Sequence, residues 1–285
     1  MSTDEREVEL HALGSVREHY ASEGVAARVL TALRNVNGPE VPITPDTLAP
    51  IDHFHGKGVI ATEELAEMLQ PKASDHILDI GCGIGGPARW IAAKYGCRIT
   101  GVDLTPGFCE AARELNSLIG LAERINILDG SAMALPVPDA SFDRAYSQAV
   151  LMNISDKPGF LREAFRVLRP GGVLALSFVG SGPAGEPHYP LPWAATVATS
   201  FLVTLDEIRS DLLAAGFQIV ALRDTSSEAA AALAPVLRKL ETEGLPPLGE
   251  HVVTGDGAKK WRINAMRSLR DGRTSMIEAL ARKPT

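Results

Sequence analysis

The stretch that most constrains this 285-residue chain is His76-Ile77-Leu78-Asp79-Ile80-Gly81-Cys82-Gly83-Ile84-Gly85-Gly86, followed at a fixed distance by Ile99-Thr100-Gly101-Val102-Asp103. A short apolar run ends in an acid, glycines alternate, and an amphipathic segment through Trp90 and Tyr95 follows. Strand, tight turn and helix in that order make the opening of a nucleotide-binding βαβ unit. The glycines let the backbone turn sharply and admit a ligand where a Cβ would obstruct it. Asp103, closing the next apolar run, sits where a carboxylate meets the two hydroxyls of a ribose. Gly81, Gly83 and Gly86 also satisfy the dinucleotide fingerprint, which is weak evidence alone. Asp79 counts against a dinucleotide, because its carboxylate repels a pyrophosphate laid on the loop.

Downstream, short Ile-, Leu- and Val-rich runs alternate with helical segments. Strands are predicted over 76–80, 98–103, 125–128, 142–147, 173–179, 217–222 and 274–281. Thr105-Pro106 supplies an N-cap and N1 pair for a helix to about 120, and further helices are predicted over 158–168, 204–215, 227–243 and 261–270. That alternation argues for an α/β fold with a parallel sheet covered on both faces. Ahead of the first strand, Ser15-Val16-Arg17-Glu18 is a capping box opening a helix whose apolar face carries Val16, Tyr20, Ala27, Leu30 and Leu33. Gly38-Pro39 stops it, Pro42, Pro45 and Pro50 mark an irregular connection, and a second helix spans 62–70. Residues 1–72 therefore read as a helical cap on a core over 73–285, with further insertions at about 180–203 and 225–272.

Composition narrows the function. A net charge of −7 gives no general footprint for nucleic acid, although Lys259, Lys260, Arg262, Arg267, Arg270 and Arg273 crowd together locally. Three cysteines without a C-x-x-C pair argue against a disulfide framework or a zinc site and fit a reducing cytoplasm. No signal-peptide core or uncharged run of membrane-spanning length occurs, so the expectation is a cytoplasmic protein, monomer or homodimer, with no membrane partner.

Four motifs in register carry a family resemblance. Asp79-x-Gly81-x-Gly83-x-Gly85 and Asp103 resemble the first two motifs of class I S-adenosylmethionine (SAM) methyltransferases. Asp129-Gly130-Ser131-Ala132-Met133-Ala134-Leu135-Pro136 with Ser141-Phe142-Asp143 is similar to the next, and Arg166-Val167-Leu168-Arg169-Pro170-Gly171-Gly172 to the last. Tyr146-Ser147-Gln148-Ala149-Val150-Leu151-Met152-Asn153-Ile154 resembles the small-molecule branch, which includes sarcosine/dimethylglycine, sterol, tocopherol and natural-product tailoring enzymes. The resemblance implies a Rossmann-like sheet of seven strands, mostly parallel with the last antiparallel, and a lid of N-terminal helices and insertions. It also implies SAM as methyl donor, held by Asp79, Gly81, Gly83, Gly85, Asp103, Leu104, Gly130, Ser131, Ala132, Ser147 and Gln148. The family often has an acid where this chain has Ser131, whose hydroxyl accepts a hydrogen bond with less charge assistance.

Methyl transfer to an acceptor asks for orientation and a dry site, and aromatic faces suit a cationic amine or sulfonium. Tyr20, Tyr189 and Trp193 are candidate substrate contacts, with His53, His55 and Asn153; Trp261 reads better as core. Tyr20, Gln148 and His188 are the catalytic candidates, Gln148 as a positioning group and the loop histidines as the only neutral-pH bases. Acids and histidines lack metal-ligand clustering. The first expectation is N-methylation of an amine. O- or C-methylation of a secondary metabolite or prenyl diphosphate follows, then a methyltransferase fold recruited as a cyclase or binding protein, then an NAD-linked oxidoreductase.

Overall fold

The computed structural model describes residues 24–255 and 257–285. Its strands are β1 (His76–Ile80), β2 (Arg98–Asp103), β3 (Ile125–Asp129), β4 (Phe142–Gln148), β5 (Leu168–Ser181), β6 (Gln218–Asp224) and β7 (Thr274–Arg282). They form one sheet in the order β3-β2-β1-β4-β5-β7-β6, parallel from β3 to β5, with β7 antiparallel to both β5 and β6. The helices are α1 (Val25–Asn37), α2 (Pro45–Asp52), α3 (Val59–Leu69), α4 (Gly86–Tyr95), α5 (Pro106–Leu118), α6 (Lys157–Val167), α7 (Leu205–Ala214), α8 (Ser226–Thr242), α9 (His251–Thr254) and α10 (Ala258–Arg270).

The near-continuous apolar strands are explained by burial on both faces. Leu78, Ile80, Val102, Leu174 and Leu176 pack against Phe160, Leu161 and Ala164 of α6 and Ile208 and Leu212 of α7. On the other face Ile77, Ile99, Ile127 and Tyr146 meet Leu65 and Leu69 of α3, Ala88 and Ile91 of α4, and Cys109 and Ala112 of α5. The seven-stranded fold is the one the resemblance implies.

Several local expectations need correction. The proline-rich connection contains α2: Thr44 accepts from the Thr47 N–H at 3.2 Å, the Thr47 hydroxyl accepts from the Thr44 N–H at 3.0 Å, and Pro45 opens the helix. Fully buried Leu48 and Ile51 then anchor it, so packing outweighs proline content. The first described helix begins at Val25, after Gly24 in a left-handed conformation (φ 63°); Ser15, Val16 and Tyr20 lie outside the described residues. Thr105 does not cap α5 with its side chain; its N–H is given to Asp103 Oδ1 at 2.9 Å. Arg169-Pro170-Gly171-Gly172 lies within β5, bulged out between the pairs Phe142–Leu168 and Arg144–Val173.

α2 is fastened to α4, the helix that follows the glycine loop, by a buried ion pair. Arg89 Nε and Nη2 reach Asp52 Oδ2 and Oδ1 at 3.2 and 2.9 Å, and Arg89 Nη1 donates to Asn116 Oδ1 at 3.1 Å. Gly86 is required there, since a Cβ on it would lie 2.4 Å from the Asp52 carbonyl oxygen. α8 and α10 pack on each other through Leu233, Leu237, Met266 and Leu269, and their partly buried sides face the sheet's upper edge through Met276.

Candidate active site

A cavity of ≈ 270 Å³ opens beyond the carboxyl ends of β1, β2 and β4, with β1 as the strand from which the order runs both ways. That is where open α/β sheets bind ligands. Its walls come from the glycine loop, the turns after β2, β3 and β4, the segment His55–Lys57, and α8 and α10.

One half fits a nucleoside. Gly81 sits at φ 84°, and a Cβ there would fall 2.4 Å from Val150 Cγ2, so only glycine keeps this wall close to the next turn. The Asp103 carboxylate is fixed by the Gly83 N–H on Oδ2 (2.8 Å) and the Thr105 N–H on Oδ1 (2.9 Å). Burial raises its pKa, opposed by these amides, so the carboxylate is held ready for hydroxyl donors at little reorganisation. Leu104, Gly130, Ser131 and Ala132 complete this wall. The Ser131 hydroxyl already accepts from the Met133 N–H at 3.1 Å, which ties it to its own turn. Glycine cradle, fixed carboxylate and apolar flank fit SAM.

The other half is a polar cluster in apolar surroundings. Gln148 ends β4, and Thr62 on α3 donates to its Oε1 at 3.2 Å. The same hydroxyl lies 2.9 Å from His53 Nδ1 and 3.5 Å from His55 Nε2. Gln148 Nε2, His55 Nδ1 and Asn153 Oδ1 have no partner among the described residues, and all three residues line the cavity. Burial pushes His55 down to about 3, aided by the charges of His53 and Lys57 and opposed by a hydrogen bond with the Gln148 side chain, and His53 down to about 4, aided by Arg89. Both rings are neutral at physiological pH. Lys57 pairs with Glu64.

Most of the remaining sequence candidates lie elsewhere. His53 is buried behind the wall, Gly85 caps α4, and the Ser147 hydroxyl donates to the Ile80 carbonyl at 2.8 Å, tying β4 to β1. His188 is on the outer side, its Nε2 3.0 Å from Asp271 Oδ2, and Tyr189 packs with Met152, Leu191 and Trp193. Neither lines the cavity. The length of that loop says nothing about which of its side chains turns inward. Trp193 does line it, anchored through Nε1 to Ser200 Oγ at 3.0 Å. Trp261, read from sequence as core, lines it too, with Arg262 and Glu250 (3.3 Å apart). Tyr20 lies outside the described residues.

Asp79 is buried behind the loop, accepting from the Tyr146 hydroxyl at 2.7 Å. Burial, with the Asp103 charge and against the Tyr146 bond, lifts it to about 7. A folded pKa above the unfolded one means the native protein keeps this proton longer, so stability falls as pH rises through roughly 4 to 7. Asp79→Asn, with a neutral acceptor for Tyr146, is expected to stabilise the SAM-free protein at pH 8 by up to about 4 kcal/mol and far less at pH 4. Thermal melts at the two pH values check this; equal gains would refute it.

Comparison with known proteins agrees with the geometry. Residues 78–176 match the model of a methyltransferase domain family. Methyltransferase GfsG of Streptomyces halstedii is 33% identical over 221 residues, 74% of this chain and 76% of that protein. O-methyltransferase cnsE of Penicillium expansum is 32% identical over 192 residues, 66% of this chain and 67% of that protein. Among solved structures, the [4+2]-cyclase SpnF superposes with a TM-score of 0.66 at 25% identity, covering 90% of this chain and 93% of that one.

Proposed function

We propose that this chain, which belongs to the SAM-dependent methyltransferase family, methylates a hydroxyl oxygen of a largely apolar small molecule. That it is a methyltransferase using SAM follows from those matches. The choice of a hydroxyl rests on one observation. Among the described residues neither His55 Nδ1, an acceptor, nor Gln148 Nε2, a donor, has a partner, and both residues line the cavity.

A hydroxyl complements that pair with electrons to spare. It gives its hydrogen to His55 and accepts from Gln148 with one lone pair, leaving the second lone pair for attack. A neutral amine has one lone pair, which attack consumes, so Gln148 would be left undischarged. The hydroxyl thus takes precedence over the amine nitrogen suggested by sequence. A diphosphate is poorly served: of the basic cluster only Arg262 lines the cavity among the described residues, and Glu250 offsets its charge. cnsE is by name an O-methyltransferase, which supports the same reading.

Bound SAM supplies an electrophilic sulfonium methyl and a neutral thioether leaving group. Gln148 orients the acceptor oxygen, and His55 takes its proton as the new C–O bond forms. Phe178, Val179, Trp193, Met266 and Leu269 exclude water from this end. The insertions at about 180–203 and 225–272 act as the lid over the acceptor, and the segments before β1 as a cap.

Transfer of labelled methyl from SAM to apolar alcohols, phenols and matched amines tests the reading. Methyl ethers are the expected products. Exclusive N-methylation, or a rearranged unlabelled product of the kind a cyclase makes, would overturn it.

A further inference from the structure

We infer that Thr62 is the positioning residue of this site, holding His53 and His55 in opposite tautomers so that the bare nitrogen of His55, a residue of the cavity wall, is Nδ1. The inference rests on the hydroxyl reading for its consequence, while its geometry stands apart from it.

The Thr62 hydroxyl is buried and has one hydrogen and two lone pairs. Three groups surround it: Gln148 Oε1 at 3.2 Å, His53 Nδ1 at 2.9 Å and His55 Nε2 at 3.5 Å. An amide oxygen only accepts, so the hydrogen goes to Gln148. Both ring nitrogens then face lone pairs and must carry hydrogens themselves. A neutral imidazole has one N–H, so His53 Nε2 and His55 Nδ1 are bare. Those are the nitrogens of the two rings with no partner among the described residues, so on both rings the orphan is a lone pair and the N–H is paired. Turning the Gln148 amide over reverses this. Its Nε2 would donate to Thr62, Thr62 to His53 Nδ1, and a buried His53 Nε2–H would face nothing, the costlier arrangement. The same single hydrogen also turns the Gln148 Nε2 donors away from Thr62.

Thr62 does not line the cavity; it acts through the two groups that do. Long-range ¹⁵N–¹H correlation spectra of ¹⁵N-histidine-labelled protein at pH 7, with no acceptor added, read the tautomers directly. Spectra of His53→Asn and His55→Asn variants assign two of the seven histidines. The wild type is expected to show Nδ1–H on His53 and Nε2–H on His55. Thr62→Val should mix both tautomers and lower the melt modestly, by the cost of the buried partners it leaves bare, while SAM affinity holds, and Thr62→Ser should restore both. With an accepted alcohol, Thr62→Val should lower kcat about 10- to 100-fold without weakening SAM binding. Matching tautomers on the two rings, or Nδ1–H on His55, would overturn the inference even if Thr62→Val does not fold. Failure to form any methyl ether would overturn the hydroxyl reading and leave the tautomers as they are.

Discussion

His55→Ala is expected to lower kcat for alcohol methylation by about 10²- to 10⁴-fold, the range for loss of a positioned proton acceptor, with SAM affinity unchanged. A pKa of about 3 does not disqualify this base. The proton leaves as the oxygen becomes an oxonium, and a protonated ether is a far stronger acid than any imidazolium. A weak, desolvated acceptor that is neutral at rest therefore suffices. The sign of the pH dependence follows: His55 accepts above its pKa, so kcat should show no acid limb near 6.5 and stay level from pH 8 down to about 5. His55→Gln keeps an acceptor without a basic nitrogen and should fall between alanine and wild type. Single-turnover transfer of labelled methyl across pH measures all of this. Wild-type kcat in His55→Ala, or an inflection near 6.5 that the variant removes, would each discard this base.

What the sequence made legible was local. Gln148 ends β4 with Asn153 five residues on, and Asp103 ends β2, so an apolar run fixes each of them relative to the sheet edge without any tertiary contact. The sheet itself was readable because strands buried on both faces leave a continuous apolar signature. Thr62 was invisible for the opposite reason: it reads as an ordinary polar residue of a helix, and its partner Gln148 is 86 residues away. Asp52 and Arg89 look like solvated charges on two helices until α2 docks on α4, and nothing periodic marks a buried ion pair. Trp261 lines the cavity although its sequence reads as core, because α10 is amphipathic and pattern alone does not distinguish a core-facing side from a cavity-facing one.

The buried pair carries the second large effect. Arg89→Met is expected to destabilise the protein by about 3–5 kcal/mol, the usual consequence of leaving one partner of a buried ion pair uncompensated. Both side chains are almost wholly inaccessible, and burial already holds Asp52 above its ordinary pKa against the pull of Arg89. Without the guanidinium that shift grows. A carboxyl with a raised folded pKa costs stability above that pKa and less as pH falls toward the unfolded value, so the variant should be partly rescued at acidic pH. Asp52→Asn in the Arg89→Met background removes the charge and should recover much of the loss at neutral pH. Since Asp52 also lies against Gly86 and lines the cavity, the single variant should weaken SAM binding as well. Denaturant melts of the two singles and the double at pH 5 and 8, read as a double-mutant cycle, measure the coupling. An additive cycle would mean that α2 is held to the glycine loop by packing around Leu48 and Ile51 alone.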